Sequence, residues 1–271
     1  MTSKYCVVGS PIQHSLSPII HQAAYSHLGF DLSYDRSEVP QGQLVDFLQG
    51  SDLSGLSVTM PLKYEAFALS SSCSDEANKT AVVNTLIRTS DGWFGHNTDV
   101  GGFIRCFREI ATATSITLIG SGATARSAGL AIAAVFPKAE VSVLGRNKES
   151  VKDLTELVTS FDLKALATDV DPSTVLNSDL VVSTVPGSAF GELWEQISSG
   201  STKKDATLFD VAYDPWPSLA SRAWGSHSIS GLELLIWQAI GQVRLFAEAK
   251  GLIVEAADSE LYGVMKAAIN K

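Results

Sequence analysis

The chain has 271 residues, of which 45% are hydrophobic and only 18% charged, a composition that builds buried cores and excludes a disordered chain. A formal net charge of -9 opposes nonspecific attraction to nucleic acid or to an anionic membrane surface, and still permits a local cationic pocket for an anionic metabolite. Three cysteines (Cys6, Cys73 and Cys106) without a close pair give no disulfide framework and no zinc site, and the five histidines show no metal-ligand spacing, so no metal is expected. The opening stretch MTSKYCVVGSPIQHS lacks the apolar core of a signal peptide, and no apolar run approaches the ~20 residues of a membrane helix. The expectation is a cytoplasmic protein with no nucleic-acid or membrane partner.

In chain order, KYCVVG (4–9) reads as a strand and SPIIHQAAYSHLG (17–29) as a helix. Ser17 is its candidate N-cap, with Pro18 at the first helical position and Gly29 where a helix stops. SGLSVTM (54–60) reads as a second strand. A domain boundary is expected within 101–110, where no Pro- or Gly-rich linker occurs and a helix is expected to make the connection. Beyond it come strand SITLIG (115–120), a helix over 123–135, strand VSVLG (141–145), a helix over 149–160, and strands DLVVST (179–184) and TLFDVAY (207–213). A helical register over 232–249, with Leu234, Leu235, Ile240, Leu245 and Phe246 forming a broad apolar surface, is expected to return to the first domain. Alternation of this kind predicts an α/β fold with parallel sheets sandwiched by helices.

The motif with the plainest mechanism lies in SITLIGSGATARSAGLAIAAVF. Gly120, Gly122 and Ala125 fit G-x-G-x-x-A directly after a predicted strand and at the opening of a predicted helix. The first glycine permits the tight turn, the second lets backbone amides approach a pyrophosphate, and the small third residue allows close packing. The helix N-terminus favours the anion. Ser121, Ala123 and Thr124 complete the candidate cofactor turn, against the alternative of a purely structural glycine turn. The next predicted strand ends in Gly145-Arg146-Asn147-Lys148, without the acid that would bond the ribose 2′-hydroxyl of NAD. Arg146 and Lys148 suit a 2′-phosphate, so the expected cofactor is NADP(H); the competing reading is a solvated basic turn.

Four further segments concentrate polar groups near strand ends or inside apolar surroundings: GSPIQHSLSP (9–18), SVTMPLK (57–63), VNT (83–85) with GHNTDVGGF (95–103), and GLELLIWQA (231–239). They supply Ser15, Ser17, Thr59, Lys63, Asn84, Asp99 and Gln238. Hydroxyls, amides and one cation–carboxylate pair are what a polyhydroxylated carboxylic acid requires.

These segments resemble the shikimate dehydrogenase family over nearly the whole chain and in the family's order: S-x-S-P, T-x-P-x-K, G-x-N-T-D-x-x-G, the glycine turn, and G-x-x-M-L-x-x-Q. The resemblance implies a substrate domain over 1–100 completed by 237–271, and an inserted Rossmann-like NADP-binding domain over 101–236. It implies reversible, NADPH-dependent reduction of 3-dehydroshikimate to shikimate in aromatic amino acid (chorismate) biosynthesis, with Lys63 and Asp99 as the catalytic pair. By the same resemblance Ser15 and Ser17 hold the substrate carboxylate, and Thr59, Asn84 and Gln238 meet ring hydroxyls and carboxylate. Tyr213 lies near the carboxylate; Thr184, Val185 and Pro186 run beside the nicotinamide, with Gly231 and Leu234 also on the cofactor side. A homodimer is compatible with it. Two positions depart from the family pattern: Ser57 stands where Asn is common, which puts one ring-hydroxyl contact in doubt, and Leu234 replaces the usual Met, a volume-conserving change. An NAD-dependent quinate/shikimate dehydrogenase shares nearly every motif, and a non-catalytic sensor of such ligands is the remaining alternative.

Overall fold

A computed structural model describes residues 3–187, 189–225 and 227–270. In chain order the elements are β1 (Ser3–Gly9), α1 (Ser17–Leu28), β2 (Leu32–Glu38), α2 (Leu44–Gln49), β3 (Gly55–Val58), α3 (Lys63–Leu69), β4 (Ser72–Cys73), α4 (Asp75–Thr80), β5 (Thr85–Thr89), β6 (Gly92–His96), α5 (Thr98–Phe107) and β7 (Ser115–Ile119). There follow α6 (Ala123–Val135), β8 (Glu140–Leu144), α7 (Lys148–Thr159), β9 (Lys164–Thr168), α8 (Pro172–Leu176), β10 (Leu180–Ser183), α9 (Gly191–Ser198), β11 (Thr207–Asp210), α10 (Leu219–Trp224), β12 (Ser228–Ser230), α11 (Gly231–Glu248) and α12 (Asp258–Ile269). The chain divides into two compact units, Met1–Gly102 with Leu235–Lys271, and Phe103–Leu234. Both divisions fall inside helices, α5 and α11.

The first unit holds a six-stranded sheet of order β2-β1-β3-β5-β6-β4. The expectation of parallel sheets fails here. β1 pairs in parallel with β2 and β3, but β5 runs antiparallel to both β3 and β6. For the β5–β6 pair the reason is local: the strands are joined by the two residues Ser90 and Asp91, a connection that only a hairpin can make. Two reversals leave β1, β3 and β6 pointing the same way, so their carboxyl ends share one edge of the sheet, where β5 also begins. Val8, Leu56, Val58, Leu62 and Leu86 are fully or almost fully buried in one apolar cluster of this unit.

The α1 helix begins at Ser17 itself, with Leu16 as N-cap and no side-chain cap, so Ser17 is a helical residue and not the cap the sequence suggested. Ser15 supplies part of what a cap would, since its Oγ accepts from the Ser17 N–H at 3.3 Å. Gly29 ends the helix in the left-handed region at φ 68°, as its position predicted.

The second unit is a wholly parallel six-stranded sheet of order β12-β11-β10-β7-β8-β9. The order reverses about β7, as in doubly wound nucleotide folds. Its central strands β7, β10 and β11 are short and almost wholly buried, whereas the edge strands β9 and β12 are not, and Ile119, Leu144, Val181, Trp194 and Leu208 pack into one cluster. On α5, Phe103 and Phe107 recur at helical spacing, are fully buried, and meet Phe209 of β11 at ring-centroid separations of 5.6 and 5.7 Å. Removing the shared ring should leave a cavity: Phe209→Ala is expected to lower the unfolding free energy by about 3–5 kcal/mol. Urea denaturation measures this, and a loss below about 1 kcal/mol would show that the aromatic contact is dispensable.

Candidate active site

In the first unit, the loops that leave the carboxyl ends of β1, β3 and β6 converge with the start of β5. Carboxyl-end loops are where side chains gather in such sheets. Ser10 N–H donates to the Met60 carbonyl at 3.0 Å, and a Cβ on Gly9 would sit 2.5 Å from Thr59 Cγ2, so the loops after β1 and β3 lie against each other. Val58 N–H donates to the Asn84 carbonyl at 2.7 Å, which ties the start of β5 to the same place.

Lys63 is the first residue of α3, and Asp99 lies in the first turn of α5. Lys63 Nζ and Asp99 Oδ2 are 2.5 Å apart, and both side chains are about nine-tenths buried. Asp99 Oδ1 accepts from Asn84 Nδ2 at 2.8 Å. Asn84 Nδ2 also lies 2.9 Å from Thr98 Oγ1 and 3.4 Å from Gln238 Oε1, while Gln238 Nε2 donates to the Leu235 carbonyl at 2.8 Å. Four of the sequence candidates, Lys63, Asp99, Asn84 and Gln238, thus form one hydrogen-bonded group. Among the described residues, Asp99 is the sole hydrogen-bond partner of the Lys63 ammonium, which has two further N–H donors to offer a ligand.

Ser15, Ser17 and Thr59 are in the same unit but outside that group. Ser17 is buried, and its hydroxyl meets the Tyr34 phenol; Ser15 and Thr59 are partly exposed. Tyr213 belongs to the second unit, on a loop fixed by the Asp210 carboxylate, which accepts from the Ala212 N–H at 3.2 Å and from Ser218 Oγ at 2.5 Å. Burial raises the Tyr213 phenol above its ordinary value, with a further push from Asp214.

Behind the group lies a layer of which sequence reading singled out only Ser57. Thr85 Oγ1 donates to Asn84 Oδ1 at 2.8 Å and accepts from Gln242 Nε2 at 2.9 Å. Gln242 Oε1 accepts from Ser57 Oγ at 2.7 Å, and Ser57 Oγ accepts from the Tyr34 hydroxyl at 2.6 Å. Ser57, which replaces the common Asn, is therefore engaged with Tyr34 and Gln242 in the interior. The available signal was Gln242 itself, one helical turn after Gln238 in an otherwise apolar stretch.

In the second unit, β7 runs through Gly120 into α6. Gly120 has φ +106°, and a Cβ there would sit 2.5 Å from Thr184 Oγ1 and 2.9 Å from Val185 Cγ1. Both conformation and crowding therefore require glycine. Thr184 is held by its hydroxyl and its N–H, both donating to the Ile119 carbonyl at 2.9 and 2.8 Å. Gly122 is the N-cap of α6 and offers no side-chain cap, and a Cβ there would meet no protein atom within 4 Å. Packing does not call for that glycine, whereas a ligand seated on the α6 amides would. Ser121, Ala123 and Thr124 complete the turn, and Ala125 is fully buried.

Arg146 follows β8, is exposed, and places its guanidinium 5.6 Å from the Phe190 ring centre. Asn147 caps α7 by accepting from the Ser150 N–H at 3.0 Å, so its side-chain oxygen has a structural role. Lys148 makes a loose, exposed pair with Asp169 at 3.6 Å. Pro186 accepts from the Ala189 N–H in the turn after β10. Gly231 opens α11 where a Cβ would fall 1.9 Å from the Val211 carbonyl oxygen, and Leu234 is buried.

Residues 7–86 match the family model described as the shikimate dehydrogenase substrate binding domain. A shikimate dehydrogenase (NADP(+)) of Prochlorococcus marinus strain AS9601 is 31% identical over 91% of this chain and 92% of its own length. The chain belongs to the shikimate dehydrogenase family. The pentafunctional AROM polypeptide of Eremothecium gossypii is also 31% identical over 94% of this chain, which spans only 17% of that much longer protein. The crystal structure of Mycobacterium tuberculosis shikimate dehydrogenase aligns with a TM-score of 0.84 at 30% identity, covering 98% of this chain and 99% of the other. In this shikimate dehydrogenase family member, the two-domain α/β fold is thus that of its relatives.

The layer behind the site carries a buried histidine with a clear pH consequence. His21 stacks on Tyr34 at 3.9 Å and 11°, and burial lowers it to about 3, only partly opposed by its hydrogen bond to Gln242. An unfolded histidine titrates near 6.5, so between these values the unfolded state binds more protons and stability falls as pH is lowered. The penalty starts below about pH 6.5 and is complete near pH 3, with about 2–3 kcal/mol lost by pH 4.5. His21→Phe keeps a ring on Tyr34 but cannot titrate. Urea unfolding at pH 7.5 and 4.5 should show a smaller loss in that variant than in the parent, and parallel losses would contradict the assignment.

Proposed function

We propose that this chain catalyses the reversible, NADPH-dependent reduction of 3-dehydroshikimate to shikimate in aromatic amino acid biosynthesis. The observation that carries the reading is the buried Lys63–Asp99 pair, with two lysine donors left for a substrate oxygen. The first unit serves as the substrate domain, consistent with the matched family model over residues 7–86. The second serves as the nucleotide domain. The α6 N-terminus with Gly120, Gly122 and their neighbours would receive the pyrophosphate, and Arg146 with Lys148 the 2′-phosphate. Three free cysteines fit a cytoplasmic setting.

Bound NADPH supplies the hydride that reduces the carbonyl carbon. Lys63 donates a hydrogen bond to the ketone oxygen at C3, stabilises negative charge as it develops there and delivers the proton; in reverse it accepts that proton. Asp99 holds the ammonium in place through Oδ2 and is itself held by Asn84 through Oδ1. Gln238 stands beside Asn84 to meet a substrate oxygen, and Ser15 and Thr59 would bind the carboxylate and ring hydroxyls, joined by Ser17 once its hydroxyl turns from Tyr34 to the substrate. Thr184, Val185, Pro186, Gly231 and Leu234 would hold the nicotinamide, and Tyr213 would serve the substrate carboxylate.

Two experiments test this. Purified protein should oxidise NADPH on addition of 3-dehydroshikimate, and Lys63→Met, which keeps the chain length but removes the donors, should lower kcat by about 10²–10⁴-fold while KM changes less. A folded Lys63→Met enzyme with near-normal turnover would refute the mechanism. Arg146→Ala should weaken NADPH about tenfold and leave NADH almost unchanged, because an exposed charge-assisted contact lies at the low end of its range. Equal effects on both cofactors would remove the 2′-phosphate assignment.

A further inference from the structure

Two backbone groups settle the orientation of the side-chain amides behind Asp99. The Thr98 N–H can only donate, and it lies 2.8 Å from Asn84 Oδ1, so Asn84 must turn its NH₂ to the Asp99 carboxylate. The Asn84 main-chain carbonyl can only accept, and it lies 3.2 Å from Gln242 Nε2, so Gln242 presents its NH₂ to Thr85 and its oxygen to Ser57.

The hydroxyls are then fixed as well, because each has one proton. Thr85 accepts from Gln242 and gives its proton to Asn84 Oδ1. Ser57 gives its proton to Gln242 Oε1 and must accept from Tyr34. The same Gln242 oxygen requires His21 Nε2 to carry hydrogen at 3.3 Å, leaving Nδ1 to accept from the Tyr25 hydroxyl at 3.4 Å. Every link from Tyr34 through Ser57, Gln242, Thr85 and Asn84 donates in one direction, and the chain ends on the Asp99 carboxylate. Bonds aligned in this way polarise one another. Two amides in the series prevent it from relaying protons, so its work is orientation.

We propose that Gln242 is a positioning residue for the reacting pair: it grips residues 84 and 85 at once and thereby keeps the Asn84 NH₂ on Asp99. Gln242 is 1% exposed, so it acts on Asn84 and not on substrate, unlike Gln238 one turn earlier. Without its NH₂, the Thr85 hydroxyl loses its donor and the Asn84 carbonyl loses a partner. The Asn84 amide is then held on Oδ1 by Thr98 and a less constrained Thr85. The inference rests on the reading of Lys63 and Asp99 as the groups that act on the substrate carbonyl.

The test uses the full chain with 3-dehydroshikimate and NADPH. Gln242→Met and Thr85→Val, each close in shape to the original, should both lower kcat by about 10–100-fold, the cost of a loosened site, with KM for NADPH nearly constant. Their double variant should be little worse than the poorer single one, since both break the same chain. In Gln242→Glu the introduced carboxyl can donate to Thr85 only when protonated, so its kcat relative to the parent at each pH should rise as pH falls. Packing between touching residues can also give non-additivity, but it would not give the pH-dependent recovery. Folded variants with parental kcat, multiplicative losses in the double variant, or a flat pH ratio would each overturn the proposal. Should Gln242→Met fail to fold, Thr85→Val and Gln242→Glu decide the matter. A parent enzyme that does not turn over 3-dehydroshikimate is a separate result: it defeats the functional reading, and the positioning role falls with it.

Discussion

A lysine and an aspartate set side by side away from water cost several kcal/mol each in lost hydration, and their attraction offsets this only when geometry and remaining hydrogen bonds are in order. The Lys63–Asp99 pair is in that situation, and much of the first unit can be understood as the means of holding it. Asp99 has both oxygens engaged, by Lys63 and by Asn84. The lysine keeps two donors in reserve. That asymmetry is what the proposed role needs: the carboxylate is anchored by protein, whereas the ammonium has donors to offer a substrate oxygen.

The sheet explains how the partners meet. Lys63, Asn84 and Asp99 are distant in sequence, but they follow β3, precede β5 and follow β6. The antiparallel hairpin within an otherwise parallel arrangement brings these three ends to one edge. A helix start supplies each charged residue, which fixes where its backbone begins and leaves its side chain to cross to the partner. In the second unit the requirements are different, and backbone does most of the work. Gly120 turns the chain where no side chain fits, and the N-terminus of α6, without a side-chain cap, has amides able to receive an anion.

Legibility in the sequence followed the range of the interaction. Local features were readable: the helix over 123–135, the stop at Gly29 and the glycine turn all follow from conformational limits within a few residues. The mixed pairing of the first sheet was not, because β5 and β6 are only five residues each, β6 has no β-branched residue, and their opposed directions come from a two-residue turn. Ser17 looked like an N-cap by type and position, yet the helix starts at Ser17 and Ser15 accepts the amide. The polar layer of Tyr34, Ser57, Thr85 and Gln242 was not legible as a unit, although Ser57 and Gln242 each left a signal, because its members are scattered over four elements and meet only in three dimensions. Lys63, Asp99, Asn84 and Gln238 stood out as polar groups near strand ends or in apolar surroundings, the resemblance supplied their roles, and only the structure gives the distances that join them.

The dependence of the site on one coupled pair is tested most directly by a double-mutant cycle on kcat. Lys63→Met and Asp99→Asn would be made singly and together, with folding verified by circular dichroism, because breaking a buried pair also destabilises it. If the two side chains act as one unit, the double variant should turn over little more slowly than the worse single variant, as for catalytic groups that work together. Losses that multiply across the two substitutions would mean that Lys63 and Asp99 act independently, and the account built on their contact would be wrong.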